Sequence, residues 1–367
     1  MLMTENAETP QTPNAELRRA SLEELVARLE TIKADAKDYV VPVPKLEVGS
    51  VLDSRPRLML RNEGNDSFPT SFPMTRHAET QVCEWLGIPH RYYDAMCEAG
   101  LWSLAAANLA KWIPTKGTEK RLVRTAEGRV RAVLSDRYRP LDNYDVVVTA
   151  LEVAQQTPHG AKVQYCHLTE QQMAVDLVVP ALAEEVRAGD LLIPGIRVSN
   201  SEVGSAALRV EPYVYRKICK NGMVGPQSLY RAHLGARLTE GEQFYSPETL
   251  RATDAAVFSQ VRDYVRAGLD GTILAQFVGQ LRAAAGIRVE DPIRAVDSVS
   301  ASLAASKAEK AAILSAFIGE ADPTLYGLAQ AITRQAQEIP TEVGFTWERY
   351  AGAIVAELVV PGATATA

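Results

Sequence analysis

Long apolar runs are missing from this sequence. Stretches such as Leu191 to Ile193 and Val146 to Val148 are typical, far short of the roughly 20 residues a membrane helix needs. Cysteine is scarce: Cys83, Cys97, Cys166 and Cys219 are scattered, and no pair has CxxC spacing. That excludes a disulfide scaffold and predicts reduced thiols in a cytoplasmic protein. The histidines fall at no zinc-site spacing. Cys166 and His167 are adjacent in a predicted strand, so they point to opposite faces and form no dyad. Glycine-rich loops of the GxGxxG or GxxxxGK[ST] kind are absent, which speaks against a dinucleotide enzyme or a nucleotide-driven motor. Positive charge is also in deficit. Thirty-nine Lys and Arg against 45 Asp and Glu leave a net charge of −6, so any anion-binding surface has to be sought segment by segment.

What is present suffices for a packed core. The chain has 367 residues, 47% of them hydrophobic, enough for one large domain or two smaller ones. Met1 to Asn14 is polar, acidic and proline-bearing and reads as a disordered leader without a signal-peptide pattern. Ser21-Leu22-Glu23-Glu24 reads as a capping box. Leu22, Leu25, Val26, Leu29 and Ile32 follow it at helical spacing. Residues 39 to 73, with five prolines, read as extended or looped. Helices return from Thr75 to Trp112, with Gly87 placed to stop the first. Strands are predicted at 121–125 and 129–134 around Ala126-Glu127-Gly128, and again at 162–167, 172–179, 191–199 and 205–219. Asp142 is placed to cap a helix over about 144–156. From about Ser246 an alanine-rich stretch carries five or six helical patterns, then a loose tail. Strands and helices segregate, which predicts an α+β fold. It comprises a central antiparallel-rich sheet with packed helices and then an all-helical C-terminal part. The expected division is 1–38 (leader and first helix), 39–240 (α+β core) and 241–367 (helical region and tail).

Two segments could carry chemistry. Lys120 to Arg139 has seven basic residues against Glu127 and Asp136, a local charge of +5. In a strand over 129–134, Val130, Ala132 and Leu134 face the core, while Arg129 and Arg131 face out. Arg137, Tyr138 and Arg139 follow in a turn. Arginine forks suit phosphate, and a tyrosine offers a face to a base; the plainer reading is a solvated arginine surface. The second segment alternates Arg209, Glu211, Tyr213, Tyr215 and Lys217 with Leu208, Val210, Val214 and Ile218, interrupted by Pro212, which suggests an edge or a bulge. Its first set is either a platform for single-stranded nucleic acid or a stripe packed under the C-terminal helices. Asp136, Asp142 and Asp145 could hold a divalent metal. The preferred reading is a turn residue, an N-cap and a first-turn acid.

These segments resemble a known group. RAVLSDRYRPLDN (131–143) and VSNSEVGSAALRVEPYVYRKICKNGM (198–223), with weaker echoes in LGIPHRYYDAM (86–96) and LYGLAQAITRQAQ (325–337), are similar to the phage- and plasmid-borne proteins grouped as "domain of unknown function 932". The resemblance spans most of the chain after about residue 75. It implies a mobile-element setting and no catalytic residue. The order of elements also resembles single-strand annealing recombinases, an analogy of fold alone.

The resulting expectation is a non-enzymatic protein without metal or cofactor that binds single-stranded nucleic acid, DNA in preference, and promotes annealing. Arg129, Arg131, Arg137, Arg139, Arg209 and Lys217 would contact phosphates, and Tyr138, Tyr213 and Tyr215 would stack on bases. A homo-oligomer is expected, because one such patch grips few phosphates. The alternatives are an interaction protein that binds a host protein through the C-terminal helices, and a metal-dependent enzyme on nucleic acid.

Overall fold

The computed structural model describes residues 16–50, 54–61, 69–225, 230–232 and 247–359. The predicted leader and most of the predicted tail lie outside them. In chain order the elements are β1 (Leu17–Ala20), α1 (Leu22–Asp35), β2 (Lys37–Pro42), β3 (Leu46–Gly49), β4 (Arg57–Leu60), β5 (Thr70–Pro73), α2 (Arg76–Leu86), α3 (His90–Glu98), α4 (Trp102–Trp112), β6 (Lys120–Ala126), β7 (Arg129–Ser135), α5 (Asn143–Gln155), β8 (Lys162–Leu168), β9 (Met173–Val178), β10 (Glu184–Arg187), β11 (Asp190–Asn200), β12 (Leu208–Arg216), β13 (Asn221–Val224), β14 (Tyr230–Ala232), α6 (Pro247–Gly268), α7 (Gly271–Ala284), α8 (Pro292–Ser302), α9 (Lys307–Gly319), α10 (Leu325–Gln335) and α11 (Thr341–Val359). The class is α+β, with a curled antiparallel sheet and an all-helical stretch over 252–357. Among the described residues no helix is long and apolar enough to cross a membrane.

Local chemistry sets many of the boundaries. The Ser21 capping box forms: the Glu24 carboxylate accepts from Ser21 N at 2.8 Å, and Ser21 Oγ accepts from Glu24 N at 3.2 Å. Thr75 caps α2 by accepting from Ala78 N, and Gly87 ends it at φ 78°, a conformation glycine adopts without steric penalty. Glu127 and Gly128 both have positive φ, 54° and 68°, so β6 and β7 are joined by a two-residue hairpin turn that matches strand twist.

The chain forms two compact units. The first is built mainly from residues 30–136, with 168–170. It holds two three-stranded sheets, β2-β6-β7 and β3-β4-β5. Around them Leu58, Val82, Tyr93, Leu109, Val123 and Val130 belong to one apolar core. The described parts of the Pro-rich stretch are largely extended, one of the two forms its composition predicts, and their strands pair. Arg131 departs from expectation. Arg124 pairs with Ala132 and Thr125 with Val130, which leaves Arg131 as the extra residue of a β-bulge. A bulge shifts the facing of everything beyond it. Arg131 is therefore 7% exposed, and Val133 rather than Leu134 joins Val130 in the core.

The second unit comprises residues 18–29, 137–167 and 171 onward. Its sheet runs β1-β8-β9-β11-β12-β13, with β10 also paired to β11 and β14 to β12. Helices α7, α10 and α11 close an apolar core with Leu192, Val214 and Met223 of the sheet. Pro212 is not on an edge strand. It lies in β12 between the stretch paired with β14 (208–210) and the stretch paired with β13 (213–216). Its carbonyl accepts from Gly225 N at 2.7 Å, and its nitrogen has no hydrogen to return. Asp142 occupies the N-cap of α5, as predicted, but its side chain makes no capping bond. The Glu202 carboxylate takes the amide of Asn143 instead, at 3.1 Å.

Candidate functional site: a charged row beneath a cationic rim

In the second unit three neighbouring strands place charged residues in register. Arg197 of β11 lies opposite Asp176 of β9 on one side and Glu211 of β12 on the other. Asp176 and Arg197 are each 1% exposed. Arg197 donates from Nε to Asp176 Oδ1 at 2.6 Å and from Nη2 to Oδ2 at 2.8 Å, the two-pronged geometry that suits a buried arginine. Its Nη1 donates to Glu348 of α11. The next residue, Arg349, closes the row on Glu211, with bonds of 2.8 to 3.0 Å. The guanidinium of Arg197 lies 5.0 Å from the Tyr213 ring centre and 4.5 Å from that of Phe345. The two aromatic faces thus stabilise a cation that has lost its water. Burial raises Glu348 above the usual carboxylate range, against the pull of Arg197. Burial also holds the Tyr213 phenol well above its usual value, and Asp176 accepts its hydrogen bond.

His167 of β8 completes the group. It is 7% exposed, and its Nε2 lies 3.8 Å from Asp176 Oδ2. Its ring meets Phe345 edge to face at 5.3 Å. Nδ1 is buried without a hydrogen-bond partner. Burial pushes the imidazole down to about 4, so it is neutral at pH 7. These residues line a half-open concavity of about 20 Å³, with Arg18, Arg19, Tyr165 and Gln337 also in its lining.

The rim is cationic. Arg19 Nη2 donates to the Lys220 carbonyl at 2.6 Å, Gln337 Nε2 donates to the same oxygen at 3.4 Å, and Arg18 Nη2 donates to Ala336 O at 3.1 Å. Arg19 and Lys220 both adopt left-handed φ, 53° and 54°. Lys217, in the same turn as Lys220, is exposed, as are Arg18 and Lys220. Arg19 lies 5.0 Å over the Tyr165 ring. Gly222 is needed because a Cβ there would come within 2.2 Å of the Tyr213 hydroxyl. Gly222→Ala is expected to lose about 2 kcal/mol of stability by overpacking, read as a lower urea midpoint at unchanged slope. An unchanged midpoint would show that the ring is free to move.

The predicted contact residues divide. Lys217 is exposed at the rim. Arg129 is half-buried, with Nη2 3.5 Å from Met74 O, and Arg137 is half-buried. Arg139 pairs with Asp254 at 2.7 Å. Arg209 is 3.6 Å from Glu211. Two of the three predicted stacking faces are not presented to solvent, and Tyr138 is half-buried. Tyr213 is 1% and Tyr215 7% exposed, because β12 is an interior strand whose Tyr213 face meets the Arg197 group and whose Tyr215 meets Tyr165 edge-on at 5.8 Å. Tyr138 directs its hydroxyl to Ser201 O at 3.2 Å. Sequence reading passed over Asp176, Arg197 and Glu348, and weighed His167 only as a dyad partner of Cys166. The signal lay in single charges within otherwise apolar strands, Asp176 in MAVDLV and Arg197 in GIRV; such residues are seldom buried unless paired.

Asp145 lies in the first turn of α5 and Asp136 is exposed. Among the described residues the group whose ligand atoms converge is a different one, Glu79, His90 and Asp94 in the first unit, within 4.8 Å of one another. Arg55 lies 2.5 Å from Glu79 and Arg76 2.5 Å from Asp94, so both carboxylates already have cationic partners. No family model, curated protein or solved structure matches this chain.

Proposed function

We propose that this protein binds single-stranded nucleic acid through the cationic rim of the second unit. The observation that carries the reading is the bond from Arg19 of β1 to the backbone of the Lys217–Lys220 turn, with Arg18, Lys217 and Lys220 exposed, in a chain whose net charge is −6. Backbone phosphates are the polyanions such a cluster suits, and the attraction is local. Arg137, Arg139 and Arg209 of the same unit are secondary phosphate contacts, the last two after release from their carboxylates. The setting proposed is a phage or plasmid protein in the host cytoplasm that self-assembles on the strand and promotes annealing. Support for that setting comes from the strings at 131–143 and 198–223.

A gel-shift series on a single-stranded oligonucleotide tests the reading. With three or four phosphates neutralised, log K should fall against log salt with a slope of about −2 to −3. Lys217→Glu with Lys220→Glu should weaken binding and flatten that slope. Salt-independent binding, or none, would overturn the proposal.

A second reading has one specific observation behind it. Leu101, Leu104 and Trp112 at α4 of the first unit are about half exposed (49%, 53% and 48%), and exposed apolar side chains grouped on one element mark protein contacts. Under that reading the chain binds a host protein, and the complex survives nuclease.

A further inference from the structure

The concavity at the rim is small: at about 20 Å³ it admits roughly one water-sized group. One non-bridging oxygen of a phosphate fits such a space, and a terminal phosphate offers three of them and more negative charge than an internal one, which offers two. Two features show that the space is chemically prepared. His167 lines the space, its Nδ1 is buried with no partner, and a buried polar atom left unpaired is costly enough to call for an explanation. Arg18 and Arg19 stand at the opening, each with one donor engaged on a carbonyl and others remaining.

The local charge agrees. Asp176 and Glu348 both accept from Arg197. Counting Arg18, Arg19 and Arg197 against those two carboxylates leaves a positive site, more so when Glu348 carries a proton. An entering anion therefore meets net attraction despite the acids at the floor.

We infer that this pocket receives a phosphate monoester, the terminal phosphate of a single strand, with Arg18 and Arg19 on its outer oxygens and His167 Nδ1 against the inner one. A phosphate oxygen that carries a proton would donate to Nδ1, and one without would accept from the other histidine tautomer. No bond is made or broken. The inference rests on the reading above for its source of phosphate, and a free nucleotide offers the same chemistry.

The test uses the full-length protein and one oligonucleotide sequence in three forms: 5′-phosphorylated, 3′-phosphorylated and unphosphorylated. A nucleoside monophosphate and inorganic phosphate serve as separate probes in calorimetry. One phosphorylated end should bind about tenfold tighter than the unphosphorylated strand, the worth of one or two charge-assisted hydrogen bonds. The preference should vanish in Arg18→Gln with Arg19→Gln, which alters only rim side chains, and in His167→Gln. Thermal melts establish that each variant is folded, and the rim pair decides the matter if His167→Gln is not. Equal binding of all three strands would overturn the terminal-phosphate site and leave strand binding standing. Binding of the monophosphate with no binding of any strand would do the reverse. If neither binds, both ideas fall.

Discussion

Arg197→Met is expected to lower the unfolding free energy by about 3–5 kcal/mol, the range seen when one partner of a buried ion pair is removed. The magnitude follows from what is left behind. Asp176, 1% exposed, would lose both of its guanidinium bonds, and Glu348 would lose its own. Two carboxyl groups would then sit beneath Phe345 and Tyr213 with no cation. Protonating them would relieve part of the penalty, so the loss should be larger at pH 8 than at pH 5. Replacing all three charged residues together with apolar side chains, as in Arg197→Met with Asp176→Leu and Glu348→Met, should recover most of the stability. The cost lies in the unpaired charge rather than in the pair as such. Urea titrations of the three proteins, wild type, single variant and triple variant, check this. A single-variant loss below about 1 kcal/mol would mean that water reaches the row.

The class of fold could be read from the residues because local rules and the tertiary structure agree there. The Ser21 capping box, the Gly87 stop and the Glu127-Gly128 turn each specify a boundary through backbone chemistry that needs no distant partner. The site was less legible, for two reasons. The first is the bulge at Arg131. It leaves no mark in a single sequence, yet it turns an expected outward arginine inward. The second is that alternation along β12 separates two faces without telling which is wet. Arg209, Glu211, Tyr213 and Tyr215 share a face, as predicted, but Glu348 and Arg349 of α11, more than 130 residues away, supply partners on that face. A stripe of charge and tyrosine reads the same whether it awaits a nucleic acid or is satisfied by a helix. Lone charges in apolar strands were the better guide, since each demands a partner wherever it is buried.

The acid side of the stability curve should carry the signature of His167. Its folded pKa is pushed down to about 4 by burial, against about 6.5 in an unfolded chain. Between those values the unfolded state binds a proton that the folded state refuses. Stability therefore falls as pH drops from about 6.5 toward 4, by about 3 kcal/mol at most. Glu348 works in the opposite sense: its folded pKa is raised by burial, so its contribution is fully present at low pH and is lost as pH rises through the folded value. The wild-type curve contains both, together with the ordinary surface carboxylates, and does not isolate either. The difference between wild type and His167→Gln does. That variant should lose less stability than wild type on going from pH 7 to pH 4.5, with the gap opening below about 6.5. The difference between wild type and Glu348→Gln should open the other way, with the variant gaining relative stability as pH rises. Parallel curves for wild type and His167→Gln would mean that the imidazole accepts its proton in place, reached by water through the concavity. The unpaired Nδ1 would then be solvated, and the case for a prepared phosphate pocket would weaken with it.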